Sequence, residues 1–229
     1  THSISVNQLA TSHTLAFVGF TADTDPINAD SVQIELGTWD GGGTFTPDSG
    51  STSATITIDS TNNTVQSFAA AINAEDIGVK ATVVRIDETN YALSLISPTG
   101  EARQMRVSAL SGGAAVSSLS YTDATTHAAK QITAGQDANF TLDGLSITRN
   151  TNNVDDIVNG VTIELKEKTT SAVGVGASYD SKAALDNLEK FVTDLNFMIN
   201  KLSELTYRGS PGGEDSGPLA DDNLVKGYL

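Results

Sequence analysis

Between Gly135 and Leu165 the chain reads GQDANFTLDGLSITRNTNNVDDIVNGVTIEL, and this run dictates a β-rich module more firmly than any other part of the sequence. Asp143-Gly144 is a dipeptide that accepts the two positive φ angles of a type I′ turn, with Phe140 and Leu142 alternating into it and Leu145 and Ile147 alternating out. The spacing sets Leu142 opposite Leu145 and Phe140 opposite Ile147. Downstream, Asn153 is a suitable N-cap, so a short helix is expected over Val154 to Asn159, with Asp155 and Asp156 in its first turn and Gly160 as its left-handed stop. Val161, Ile163 and Leu165 then resume strand alternation.

Upstream, Ile4 and Val6 alternate, and Leu15 to Phe20 form an apolar run before the polar connection Thr21 to Asp30. A second unit begins near Ser31. There Val32, Ile34 and Leu36 alternate, Asp40 to Gly43 makes a turn beside Trp39, and Ile56 and Ile58 resume a strand. Thr64 caps a predicted helix whose Val65, Phe68, Ala69 and Ile72 define one buried face. Strands are expected at Val79 to Ile86 and Tyr91 to Ile96, joined by the loop Asp87 to Asn90, which would pair Ile86 with Tyr91 and Val84 with Leu93. Arg106-Val107 adds an edge strand, and Ser111 to Ser120, rich in Gly, Ala and Ser, reads as a boundary.

From Ser181 to Thr206 the period changes. Leu185, Leu188, Val192, Leu195, Ile199 and Leu202 step by three and four in alternation, an a/d seam that Phe191, Met198 and Leu205 widen. One long amphipathic helix is expected, with these six side chains packing a partner helix. Three partners fit: a segment starting near Pro218, an N-terminal segment outside this chain, or a second subunit.

The net charge of −15, from 13 basic and 28 acidic residues, disfavours nucleic acid and anionic membrane surfaces as partners, because both would repel it. No Lys or Arg precedes Lys80, while nine acids do, from Asp23 to Asp76; a solvated acidic surface explains them. No window approaches the roughly 18 apolar residues of a membrane span. With no cysteine there is no disulfide framework, thiol nucleophile or Cys-containing zinc site.

Catalytic chemistry finds no foothold, and no cofactor or metal is expected. His2, His13 and His127 lack metal-ligand spacing and read as surface residues. Gly41 to Gly43 and Gly112-Gly113 lack the Lys-Ser/Thr of a phosphate loop. Asp155-Asp156 and Asp221-Asp222 read as first-turn charges on helices, and Asp23-Thr24-Asp25 with Asp30 lacks the Gly and Glu of a calcium loop.

The Gly135 to Leu165 run, together with ISVNQLA at Ile4 to Ala10, AINAEDIGVKATVV at Ala71 to Val84 and GPLADDNLV at Gly217 to Val225, resembles the bacterial flagellar filament cap family, also called hook-associated protein type 2. The matches occur in the family's order across nearly the whole chain, which reads as a core piece lacking both ends. The resemblance implies an α+β fold: two β-rich head subdomains of antiparallel sheets and short helices, then a helical leg. Residues 1–30 with 119–175 would form one head subdomain, 31–118 an inserted α+β one, and 176–229 the leg. It also implies an extracellular structural protein at the distal tip of the flagellum, exported without a cleaved signal peptide. Its expected partners are flagellin, whose folding and polymerisation it promotes, and further copies of itself in a small ring. Two alternatives stand beside it: another hook-associated axial protein, and an adhesin module in which Trp39, Tyr91 or Tyr121 stacks on host surface glycans.

Overall fold

A computed structural model describes residues 2–110, 118–176, 181–209 and 216–220. The chain opens with β1 (His2–Gln8), β2 (Ser12–Phe20), β3 (Ser31–Trp39), β4 (Phe45–Pro47) and β5 (Ala54–Thr57), followed by helix α1 (Val65–Ala74). Next come β6 (Lys80–Arg85), β7 (Tyr91–Thr99), β8 (Gln104–Leu110) and the short β9 (Gln131–Thr133). β10 (Ala138–Leu142), β11 (Leu145–Arg149), β12 (Asn153–Val158), β13 (Val161–Glu164) and β14 (Val173–Val175) precede the long helix α2 (Ser181–Thr206). The chain divides into two compact units, Thr1–Val175 and Gly176–Leu229.

Every strand pair in the first unit is antiparallel among the described residues, which agrees with the α+β class. One sheet runs β11-β10-β1-β14, a second β6-β7-β2-β9, and a third has β3 at its centre between β8 and the β4 and β5 side; β12 and β13 form a separate ribbon. Two apolar cores result. The larger gathers Leu15, Phe17, Ile34, Phe68, Leu93 and Met105 with their neighbours. The smaller holds Ile4, Val6, Phe140, Leu142, Val154 and Leu165.

Local chemistry explains the elements that match expectation. Asp143 and Gly144 have φ of 51° and 85°, as a type I′ turn demands, and the ladder pairs Phe140 with Ile147 and Leu142 with Leu145. At α1, Thr64 Oγ1 accepts the Ser67 N–H at 3.2 Å while Thr64 N–H donates to Ser67 Oγ at 3.0 Å, a capping box. The buried face of α1 is Val65, Phe68, Ala69 and Ile72.

Three local expectations are corrected. Asn153–Val158 is strand β12, not a helix, and it pairs with β13 through the two-residue loop Asn159-Gly160. Asn-Gly between apolar runs is a strong hairpin signal, and it outweighs capping here. Val154 points into the smaller core, 2% exposed, while Asp156 pairs with Arg149 at 2.9 Å rather than with a helix N-terminus. In the β6–β7 hairpin the register is one residue off: Arg85 faces Tyr91 and Val83 faces Leu93, leaving a five-residue turn in which Ile86 N–H donates to Asn90 O at 2.8 Å. The slip puts Val83 on the core side and Val84 on the outer face. The third concerns β2: its segment pairs with β7 and β9, and Leu15 and Phe17 join the larger core although the sequence grouped them with the β10–β11 module. The chain passes from the smaller sheet to the larger core at Ala10–Thr11.

Candidate functional site

Helix α2 carries the six side chains that the heptad pattern nominates. Its 26 residues match the expected span, and polar groups support it along its solvent side: Lys182 pairs with Asp186 at 3.0 Å and Lys201 with Glu204 at 2.8 Å. One face of α2 bears Leu185, Leu188, Val192, Leu195, Ile199 and Leu202. The first five are 57%, 58%, 46%, 38% and 44% exposed, and Leu202 is half-buried. Phe191 and Met198 beside them are also exposed. The sequence therefore places the stripe correctly on one helix, and no partner covers most of it within the described residues.

Its C-terminal end is the covered part. Leu219 N–H donates to Leu205 O and Gly217 N–H to Tyr207 O, each at 2.8 Å, so the chain after the helix folds back along the last turn. Thr206 and Ala220 are buried there. The continuation of this segment, including the helix expected after Pro218 and Asp221-Asp222, lies outside the described residues, as does most of Ser111 to Ser120.

In the first unit, His13 overturns its surface assignment. It is fully buried, its Nδ1 accepts the Met105 backbone N–H at 2.8 Å, and its Nε2 lies 3.4 Å from Gln131 Oε1. Tyr121 donates its hydroxyl to the same Gln131 oxygen at 2.6 Å. Burial pushes the imidazole down to about 4, so it is neutral near pH 7. The signal was present in sequence, because His13, Leu15 and Phe17 share one side of a strand. Burial and Asp123 also push the Tyr121 phenol up to about 12. Among the described residues no cluster of three His, Asp or Glu side chains is placed to hold a metal. The Asp25 carboxylate is taken by its own turn, held below its ordinary range first by the Thr21 N–H and also by the Ala22 N–H.

The aromatic side chains weighed as sugar platforms sit elsewhere. Trp39 is buried with its indole N–H donating to Met105 O at 3.0 Å, Tyr121 is fully buried, and Tyr91 is half-buried beside Arg85. A polar cleft of about 630 Å³ is lined by residues including Asn7, Gln8, Gln104, Gln136, Asp137 and Asn139. Two of its amides are committed to the scaffold: Asn7 Nδ2 donates to Asn139 Oδ1 at 3.0 Å and Gln8 Nε2 to Asp137 O at 2.8 Å.

Residues 135–228 match the family model described as the flagellar hook-associated protein 2 C-terminus. Lateral flagellar hook-associated protein 2 of Vibrio parahaemolyticus is 31% identical over an alignment that covers 98% of this chain and 50% of that protein. B-type flagellar hook-associated protein 2 of Pseudomonas aeruginosa is 29% identical, covering 96% of this chain and 47% of its own length. The chain thus spans about half the length of the curated relatives it matches. Among solved structures, FliD (HAP2) from Pseudomonas aeruginosa superposes with a TM-score of 0.65 at 26% identity, covering 92% of this chain and 93% of that one. The D1-D2-D3 domains of the flagellar cap protein FliD from Escherichia coli share the fold, with a TM-score of 0.72 over 99% of this chain and 60% of that one at 22% identity.

Proposed function

Because the chain belongs to the flagellar hook-associated protein 2 family, we propose that it forms the head and part of the leg of a filament cap at the distal tip of a bacterial flagellum, outside the cell. In this reading the two β-rich cores of the first unit are head subdomains joined where the chain crosses at Ala10–Thr11 and Ala134–Gln136, and α2 belongs to the helical leg. The cap promotes the folding and polymerisation of flagellin, and its subunits close into a small ring.

One observation carries most of this: α2 keeps its apolar stripe while five of its six seam residues remain more than a third exposed. A helix with that face belongs in a bundle with further helices, which suits a leg and gives an enzyme no site. The reading is tested by comparing the full-length protein with its Leu188→Glu/Leu195→Glu variant, in light scattering and in complementation of a cap-deficient strain. A closed oligomer and restored swimming for the parent, both lost in the variant, support the cap. A full-length protein that stays monomeric and fails to restore filaments overturns it.

A further inference from the structure

The sheet β6-β7-β2-β9 buries one face in the larger core, and its other face is uncovered among the described residues. Val84 pairs with Ala92 and Ala92 with Val18, which sets three apolar side chains in one row across three strands, because directly paired residues of a ladder point to the same side. Four residues further along β7, Ile96 stands between Lys80 and Thr14. Val18 is 62% exposed, Val84 45%, Ile96 41%, and Ile132 on β9 65%. The row between these two holds Thr82, Ser94 and Ala16, small and uncharged.

No carboxylate occupies these nine positions, although the chain holds 28 acidic residues and a net charge of −15. Two copies repel wherever their acidic surfaces meet, and this face lets them approach without that cost. Its single charge is Lys80, at one end of β6; the turn at the other end carries the Asp87 and Glu88 carboxylates, with Arg85 donating to the backbone carbonyls of both residues, so the turn is net acidic by one charge. Packed face to face with strands antiparallel, each copy sets Lys80 against the acidic turn of the other. With strands parallel, the two-fold lays β6 over the partner copy's β9, and Lys80 meets the Thr133 end of its own row instead of a carboxylate.

We propose that this face is a self-association surface, on which a second copy of the chain packs antiparallel with the apolar rows in contact and Lys80 against the Asp87–Glu88 turn. Val18 and Val84 flank the small Ala92, and Ile96 and Ile132 stand apart from that row, so the apolar surface is a few side chains wide. That falls short of the roughly 800 Å² per partner of a standard stable interface, so the pair is weak and reversible. The contact is two-fold and closes on itself, so it is separate from the ring of the cap reading and does not rest on it.

Sedimentation equilibrium of the 229-residue chain across the micromolar range tests the proposal. Reversible dimerisation is expected, weakened at least tenfold by Val84→Glu, weakened by Lys80→Glu or Glu88→Lys alone, and restored in the Lys80→Glu/Glu88→Lys double variant. The Leu188→Glu/Leu195→Glu variant should dimerise as the parent does. A strictly monomeric parent overturns the proposal, as does a dimer abolished by the helix variant and indifferent to Val84→Glu, or a double reversal that fails to restore it. All these positions are exposed, and circular dichroism checks the fold; should Val84→Glu misfold, the charge-reversal set decides alone.

Discussion

The backbone N–H of Met105 donates to the buried Nδ1 of His13 at 2.8 Å, tying β8 to β2 across the larger core. With Nδ1 an acceptor, the ring's one proton sits on Nε2, facing the Gln131 oxygen. Tyr121, Met105 and Gln131 surround the imidazole, and none supplies a negative charge. A second proton on Nδ1 would oppose the Met105 donor.

Stability should therefore fall on mild acidification. The imidazole titrates near 4 when folded and near its ordinary 6.5 when unfolded, so the unfolded chain binds the extra proton first, and stability drops as pH falls from about 6.5 to about 4. The full loss is about 3 kcal/mol. Urea unfolding at several pH values checks this, and His13→Gln should flatten the slope in that window while lowering stability at pH 7. A parent whose stability stays level from pH 7 to 4 would show that the ring is protonated without opening the core.

Asn152 reaches the N-terminal segment with both ends of its amide: Oδ1 accepts the Ala10 N–H at 2.7 Å and Nδ2 donates to Ala10 O at 2.9 Å. Asn152→Ala leaves both backbone groups without this partner and should cost about 1–3 kcal/mol. Thermal unfolding measures it. Asn153→Ala next door, exposed, should change the midpoint little.

Gly37 of β3 faces Pro47 of β4 in their antiparallel ladder. A Cβ there would run into the Thr46 carbonyl, with the Phe45 ring 2.7 Å away. Gly37→Ala should destabilise by about 1–3 kcal/mol through overpacking. Gly41, whose Cβ would meet open space, should accept alanine with almost no change in the denaturation midpoint.

The α2 stripe and the α1 face should respond oppositely to truncation. Phe68, 1% exposed, should cost about 3–5 kcal/mol on Phe68→Ala. Leu188, 58% exposed, should cost under about 1 kcal/mol on Leu188→Ala in this chain. In the full-length protein Leu188→Ala should weaken assembly instead. Denaturation of the chain and light scattering of the full-length protein separate the two effects.

Elements governed by near neighbours were legible from sequence. Thr64 caps α1 because its hydroxyl reaches an N–H three residues on, and Asp143-Gly144 turns the β10–β11 hairpin because that pair tolerates positive φ. The α2 stripe follows from side-chain period alone, so its six seam residues share one face whatever covers them. Asn153 marks where such reasoning divides, since both a cap and a hairpin were consistent with its surroundings. Pairing with β13 and the burial of Val154 chose the strand.

By itself, the sequence determined which segments are helix or strand wherever period and turn chemistry agree, and which faces are apolar. Only the tertiary structure decided the β6–β7 register, the transfer of β2 to the larger core and the burial of His13. These depend on which strand lies beside which: Leu15 and Phe17 find Leu95 and Leu93 across the ladder, and His13 is carried inward with them. For β2 and His13 that pairing is a long-range choice, made by side chains far apart in sequence that meet when the sheets close; in the β6–β7 hairpin the partners are near neighbours, and burial of Val83 in place of Val84 chose the register.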